Sequence, residues 1–225
     1  MTTPSPVVTV DGPSGAGKGT LCRALAKTLG WHLLDSGALY RLLAWVTLHR
    51  ALALTDVPAL VQLANEIEAK FELTQDRIRI WSAGQEVTQQ LVGEVVGNQA
   101  SKIAELPLVR TALHQRQRDY CKPPGLIADG RDMGTVIFPE ACAKIYLYAR
   151  LEERADRRCR QLHQQGFDVK FDEILGEMRE RDQRDTKRSV AALATAEGAL
   201  ILDSTDLPIE QMVQLALDYV QRNLE

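Results

Sequence analysis

Short apolar segments alternate with amphipathic segments along most of this chain. Apolar, often β-branched runs recur five times, and each has the length of a fully buried strand. The segments between them place apolar residues three and four positions apart, which is the helical period. This alternation predicts an α/β fold with a doubly wound, five-stranded parallel sheet and flanking helices. The predicted strands lie at residues 7–10, 32–34, 126–129, 144–149 and 199–203, and the predicted helices at 21–29, 38–52, 58–69, 91–104, 108–120 and from Pro208 onward.

Two regions depart from this alternation. Residues 71–74 and 78–81 alternate apolar and polar side chains, the period of a half-exposed strand. Residues 75–77 would turn between them and 86–88 would follow, so we predict a small antiparallel β insert. A polar, arginine-rich helical stretch separates the fourth and fifth strands, and we predict that it forms a lid. The single domain, 1–225, would then comprise a core at about 1–64, 96–152 and 190–225, an insert at about 65–95 and a lid at about 153–189.

The charge balance narrows the possible partners. The 225 residues include 27 basic and 30 acidic side chains, giving a formal charge of −3. Because nucleic-acid binding usually needs a basic face, we expect no nucleic-acid partner. The four cysteines form no CxxC pair, so neither a disulfide framework nor a zinc site is indicated. With no apolar leader or membrane-length apolar run, we expect a cytoplasmic protein that does not associate with membranes. We also expect it to be a monomer.

A glycine-rich motif follows the first predicted strand and precedes a helix. It fits the pattern GxxxxGK, in which glycines let successive backbone N–H groups converge on phosphate oxygens. The helix adds the positive end of its dipole, and Lys18 can reach the β- and γ-phosphates. We therefore predict a triphosphate-binding loop, with the nine contact residues Gly12, Pro13, Ser14, Gly15, Ala16, Gly17, Lys18, Gly19 and Thr20.

The residue after the lysine departs from the common pattern. Gly19 stands where Ser or Thr usually ligates Mg²⁺, and Thr20 comes one position late on the helix. Triphosphate chemistry still requires magnesium, so we expect Mg²⁺ as the cofactor. Most of its ligands should then come from the phosphates and water.

Carboxylates follow three of the predicted strands. Asp35, Asp129 and Asp203 each end an apolar run, where an open α/β sheet places its ligand crevice. The turn at 129–132 adds a guanidinium and a second carboxylate at the same place. From the residues alone, this turn could be an ordinary surface turn, and Asp35 or Ser36 could simply cap the next helix.

The predicted lid concentrates arginines on one helix face. Arg181, Arg184 and Arg188 are three and four residues apart, and Asp185 could pair with Arg181. A solvated face laced with ion pairs is the competing interpretation, and it also applies to Arg110.

Four stretches together resemble the bacterial cytidylate kinases, a family of P-loop nucleoside-monophosphate kinases. They are the glycine-rich loop, residues 34–41, residues 126–135, and residues 180–185 with Arg188. The resemblance covers essentially the whole chain, including the insert near 65–95.

The resemblance implies an enzyme that transfers the γ-phosphoryl group of ATP to CMP, and to dCMP. It places Arg41 and Arg131 on the acceptor phosphate and assigns a magnesium-organising role to Asp129. Lys18, Arg131 and Arg181 would be the catalytic residues. The CMP-binding residues that it implies are Ser36, Arg41, Ser101, Arg110, Arg131, Asp132, Arg181, Asp185 and Arg188.

Three other functions are compatible with parts of the sequence. A kinase for UMP or AMP would need the same loop and arginines. A P-loop regulator would hydrolyse ATP without CMP, and an RNA-binding module would use the arginine-rich segment, which the net charge disfavours.

Overall fold

A computed structural model describes residues 5–74, 77–188 and 190–224. Its strands are β1 (Val7–Asp11), β2 (His32–Asp35), β3 (Lys70–Leu73), β4 (Ile78–Ser82), β5 (Gln85–Glu86), β6 (Leu126–Gly130), β7 (Ala143–Tyr148) and β8 (Leu200–Asp203). Its α-helices are α1 (Lys18–Leu29), α2 (Ser36–His49), α3 (Val57–Glu66), α4 (Glu94–Ile103), α5 (Pro107–Arg118), α6 (Leu151–Gln164), α7 (Phe171–Lys187) and α8 (Ile209–Leu224).

The main sheet is parallel and has the strand order β2-β6-β1-β7-β8. β1 lies at its centre, pairing with β6 on one side and β7 on the other. Because helices cover both faces, all five residues of this strand are buried. Val8 and Val10 pack with α1 and α8, whereas Val7 packs with Leu34 and Leu39 on the other face. The predicted five-stranded, doubly wound parallel sheet is confirmed.

The β insert is a second, antiparallel sheet of three strands in the order β3-β4-β5. Part of the predicted turn, residues 75 and 76, lies outside the described residues, but the backbone N–H of Thr74 donates to the carbonyl of Arg77 across it (2.9 Å). Ile80 and Val87 are buried in the same apolar cluster as α2, α3, α4 and α5. The small antiparallel sheet is therefore confirmed, and it packs into the body of the protein.

The arginine-rich stretch forms two helices, α6 and α7, between β7 and β8. They pack on each other through a separate small cluster that includes Ala155, Leu162, Ile174 and Met178. A π-helical turn at Met133–Ile137, after β6, was not predicted from the sequence. Within the described residues, no helix combines the length and apolarity needed to span a bilayer.

Candidate active site

The carboxyl ends of β1, β2 and β6 open into a cleft of about 630 Å³. Because these strands are parallel neighbours, their following turns meet at one edge of the sheet. α4, α6 and α7 contribute side chains to the opposite wall. The predicted site residues that line the cleft are Ser14, Gly15, Gly17, Lys18, Gly19, Thr20, Ser36, Arg41, Ser101, Arg110, Asp129, Arg131, Asp132, Arg181, Asp185 and Arg188.

The glycine-rich loop forms one wall of the cleft. A Cβ atom at Gly12 would lie 1.9 Å from the carbonyl oxygen of Leu147, so only glycine fits there, with its φ of +147°. α1 begins at Lys18, directly after a left-handed Gly17, and its N-terminus points into the cleft. Gly12, Pro13 and Ala16 complete the loop without lining the cavity.

Lys18 is buried at the base of this loop. Its Nζ donates to the carbonyl oxygen of Pro13 (3.0 Å) and lies 3.7 Å from Oδ1 of Asp129. Burial, and then the nearby Arg131 guanidinium, lower the pKa of Lys18, while Asp129 opposes this shift. The lysine is thus held in place by a carbonyl and a carboxylate, with an opening toward the cleft.

Asp129 and Asp35 occupy paired positions on β6 and β2. Burial raises the pKa of Asp129; Lys18 opposes that shift and Asp35 adds to it. Among residues 5–74, 77–188 and 190–224, no group of three or more His, Cys, Asp or Glu side chains could hold a metal ion. Two neighbouring carboxylates beside a phosphate loop fit a magnesium ion whose other ligands are phosphate oxygens and water.

Arg41 and Arg181 meet on the α4 side of the cleft. Nη1 of Arg41 donates to the carbonyl oxygen of Leu91 (2.7 Å), and Nη2 of Arg181 donates to Glu94 (2.8 Å). Burial and the guanidinium groups of Arg158 and Arg181 lower the pKa of Arg41 to about 10. Several guanidinium groups held this close together favour an anion between them.

Arg110 and Asp132 form a buried ion pair deeper in the cleft. The Arg110 guanidinium lies 5.8 Å from the ring centroid of Tyr40, and Nη1 donates to the carbonyl oxygen of Ala104 (3.2 Å). Ser101 lies near this end of the cleft and accepts a hydrogen bond from Arg184 (2.9 Å). Together these groups offer both hydrogen-bond donors and acceptors to a ligand in the cleft.

The predicted ion pair between Arg181 and Asp185 was wrong. Asp185 pairs with Arg131 (Nε to Oδ2, 2.9 Å) and with Arg188, which lies just beyond the end of α7. Burial alone would raise the pKa of Asp185, but these two guanidinium groups hold it below its usual value. Arg181 instead reaches across to Glu94 on α4, because a partly buried carboxylate lies within reach there.

Two strand-end residues have local structural roles. Asp35, rather than Ser36, caps α2 by accepting from the backbone N–H of Ala38 (2.9 Å). Ser36 donates to Oε1 of Gln117 (2.6 Å) while lining the cleft. Asp203 is on β8 at the sheet edge, where it accepts from the backbone N–H of Thr205, and it does not line the cleft.

Sequence reasoning missed Tyr40, Glu94 and Asp11. Tyr40 lines the cleft, and its buried hydroxyl has no hydrogen-bond partner within the described part of the chain. Asp11 accepts from the backbone N–H groups of Met133 and Gly134 (2.8 Å each), which anchors the turn that carries Arg131 and Asp132. Burial raises the pKa of Asp11 to about 6. For Asp11, the signal available in the sequence was its position at the end of the first strand. For Tyr40, it was the adjacent Arg41.

A second cavity, of about 700 Å³, lies between the β insert and α5. Trp81 and Tyr120 contribute aromatic walls, with Glu68, Lys70 and Arg116 around them. None of the predicted site residues lines it. We therefore place the active site in the first cleft.

A triphosphate loop facing a cluster of arginines across one cleft, at the edge of a parallel sheet, is the arrangement of a P-loop kinase. The sequence model of the family described as "Cytidylate kinase" matches residues 8–222. The chain belongs to the cytidylate kinase family.

Three relatives illustrate how closely it matches. The cytidylate kinase of Photobacterium profundum is 53% identical over 225 residues, covering 100% of this chain and 99% of the relative. The cytidylate kinase of Edwardsiella ictaluri is 54% identical over 224 residues and covers 100% of both chains. The cytidylate kinase of Aeromonas salmonicida is 52% identical over 220 residues, covering 98% of this chain and 96% of the relative.

Proposed function

We propose that this enzyme transfers the γ-phosphoryl group of ATP to CMP, giving ADP and CDP. The observation that carries this proposal is the composition of the cleft. Lys18 and the phosphate loop form one wall, while Arg41, Arg131 and Arg181 project from other elements into the same space. Such a cleft can hold two phosphate chains facing each other. The match to the cytidylate kinase family supports CMP as the acceptor.

Positioning and charge neutralisation account for the chemistry. The acceptor phosphate is itself an anionic nucleophile, so the protein needs no general base. Lys18 and the loop would hold the β- and γ-phosphates, and Arg131 would stabilise charge on the transferring group. Mg²⁺, held through Asp129 with Asp35 beside it, would neutralise triphosphate charge when bound.

We expect CMP to be a far better acceptor than UMP or AMP. Asp132 can accept a hydrogen bond from the amino group that distinguishes cytosine from uracil, and Arg110 can donate to the ring oxygen and nitrogen. A site built for a hydrogen-bonding group rejects analogues that leave its buried groups unpaired. The kcat/KM ratio of CMP to UMP should exceed about 10². A coupled ADP-release assay over a panel of monophosphates measures it.

The acceptor panel also separates the competing functions. Equal turnover of CMP and UMP would contradict the assignment of Arg110 and Asp132 to the base, while leaving the kinase class intact. ATP hydrolysis that proceeds at the same rate without any monophosphate would instead favour a P-loop regulator.

We propose that the domain is divided into a core, an acceptor-side insert near residues 65–95, and a mobile lid near 153–189. In this proposal α6 and α7 close over the cleft, expel water and suppress hydrolysis. Arg154, on α6, supports this division because it connects the proposed lid with the phosphate loop of the core. It donates to the carbonyl oxygen of Ser14 in the loop (3.0 Å) and pairs with Asp182 on α7 (2.6 Å).

Arg181→Lys should lower kcat/KM for CMP by at least about 10-fold, or ~1.4 kcal/mol. Lysine keeps the charge but loses the planar fork that grips two oxygens at once. Steady-state kinetics against both substrates measure the effect. Arg179→Lys, an exposed position on the same helix, is the matched control. Near wild-type kinetics for both Arg181→Lys and Arg188→Lys would favour the competing interpretation, in which this segment is a solvated helix face.

We also propose that dCMP serves as a second acceptor and that the enzyme acts as a monomer in the cytoplasm. The four cysteines are free thiols, which supports a reducing compartment. The formal charge of −3 disfavours nucleic acid as a partner.

A further inference from the structure

Gly97 lies on α4 at the point where two guanidinium groups of the cleft meet. A Cβ atom at this position would lie 2.9 Å from Nη2 of Arg41 and 3.1 Å from Nη2 of Arg181. The first distance is shorter than a real Cβ atom tolerates, and the second is tighter than most. The missing side chain therefore lets both guanidinium groups lie against the same stretch of helix.

The beginning of α4 and the segment before it hold both arginines. Nη1 of Arg41 is held by the carbonyl oxygen of Leu91 (2.7 Å). Nη2 of Arg181 donates to Oε2 of Glu94 (2.8 Å) and to Oδ1 of Asn98 (3.2 Å). These partners approach each guanidinium group from the α4 side. Because Gly97 has no side chain, the two guanidinium groups can lie closer to the helix than a larger residue at this position would allow.

The neighbouring guanidinium groups repel one another, so this cluster needs a carboxylate or a bound anion beside it. Glu94 pairs with both Arg158 and Arg181, and these guanidinium groups lower its pKa to about 2 against the opposing effect of burial. Glu177 interacts with both Glu94 and Arg181, so two carboxyl groups face three guanidinium groups when Arg41 is included. The remaining positive charge suits the dianionic phosphate of a nucleoside monophosphate.

We propose that Gly97 is a positioning residue for the acceptor phosphate, whose missing side chain sets the distance at which Arg41 and Arg181 grip that phosphate together. This inference rests on the proposed CMP kinase function. It names a residue that contacts no reacting atom and acts only through the two arginines. A displacement of about 1 Å in such a grip can cost up to about 10²-fold in rate.

Gly97→Ala tests the proposal, with Gly176→Ala as the matched control. Both glycines lie inside helices, so both substitutions raise helix propensity, but a Cβ atom at Gly176 meets nothing within 4 Å. The atoms that a Cβ at Gly97 would meet are at the far ends of long arginine side chains, which can shift more readily than backbone. The variant should therefore fold, with the guanidinium groups displaced rather than the helix.

We expect Gly97→Ala to lower kcat/KM for CMP by at least about 10-fold relative to Gly176→Ala, with the KM for ATP changed less than about 2-fold. Calorimetric binding of CMP and of cytidine, which lacks the phosphate, supplies the second readout. The affinity for CMP should fall about 10-fold while the affinity for cytidine stays the same.

Three results would overturn the inference. They are kinetics equal to those of Gly176→Ala, an equal loss of CMP and cytidine binding, or a loss of ATP affinity as large as the loss for CMP. Failure of the proposed function itself is distinguishable, because the unaltered enzyme would then show no CMP-dependent ADP release.

Discussion

Lys18→Ala should reduce kcat by about 10³-fold, equivalent to roughly 4 kcal/mol of transition-state stabilisation. Lys18 starts α1, is buried, and is held by Pro13 and Asp129 while facing the cleft. A charge fixed in a water-poor site before substrate binds needs little reorganisation as negative charge develops on the phosphates. Initial rates at saturating ATP and CMP measure the loss.

The fold should survive this substitution. Burial already raises the pKa of Asp129, so the carboxyl group can take up a proton when its partner is removed. Lys27→Ala, at the exposed far end of the same helix, is the matched control and should leave kcat unchanged. Thermal unfolding and circular dichroism check the folding of both variants. A folded Lys18→Ala enzyme with more than about a tenth of wild-type activity would refute the proposed donor site.

Arg131→Ala should lower kcat by about 10²- to 10³-fold. Arg131 lies close enough to Lys18 to lower the pKa of that lysine, and it also pairs with Asp185 on α7. It therefore lies between the donor loop and the acceptor side, where charge on the transferring phosphoryl group would be largest. Single-turnover kinetics with pre-bound ATP and CMP isolate the chemical step from product release.

Arg131→Lys separates charge from geometry at the same position. We expect it to recover part of the lost rate while remaining at least about 10-fold below wild type, because lysine cannot form two parallel hydrogen bonds. Arg160→Ala removes an exposed arginine that pairs with Asp156 on α6 and should have wild-type kinetics. An Arg131→Ala enzyme within about 3-fold of wild type would show that Arg131 serves only to hold the lid through Asp185.

The sequence predicted the parallel sheet well, for physical reasons. Strands buried on both faces are mostly apolar, so 7–10 and 126–129 could be recognised from the sequence alone. The loop is equally local, because its glycines and Lys18 act within one turn and the start of one helix. Such features depend on consecutive residues and are visible in a single chain.

The contacts between distant segments were much harder to predict. Arg181 was expected to pair with Asp185 from helical spacing, yet it pairs with Glu94, 87 positions earlier. A local ion pair on a helix is worth only about 0.2–0.5 kcal/mol, so a buried partner elsewhere readily outcompetes it. Tyr40, Asp11 and Gly97 likewise have neighbours that only the fold brings together.

The pairing of arginines with carboxylates across the cleft bears on how substrate enters. Asp132, Asp185 and Glu94 act as internal counter-ions for Arg110, Arg131 and Arg181. A nucleotide therefore replaces carboxylate ligands that these three cations already have, whereas Arg41 is held by backbone carbonyl oxygens and keeps its charge for the phosphate. Exchange of one ion pair for another lowers the net electrostatic gain on binding and weakens long-range steering. The same exchange favours rapid product departure, since each guanidinium group has a partner to return to.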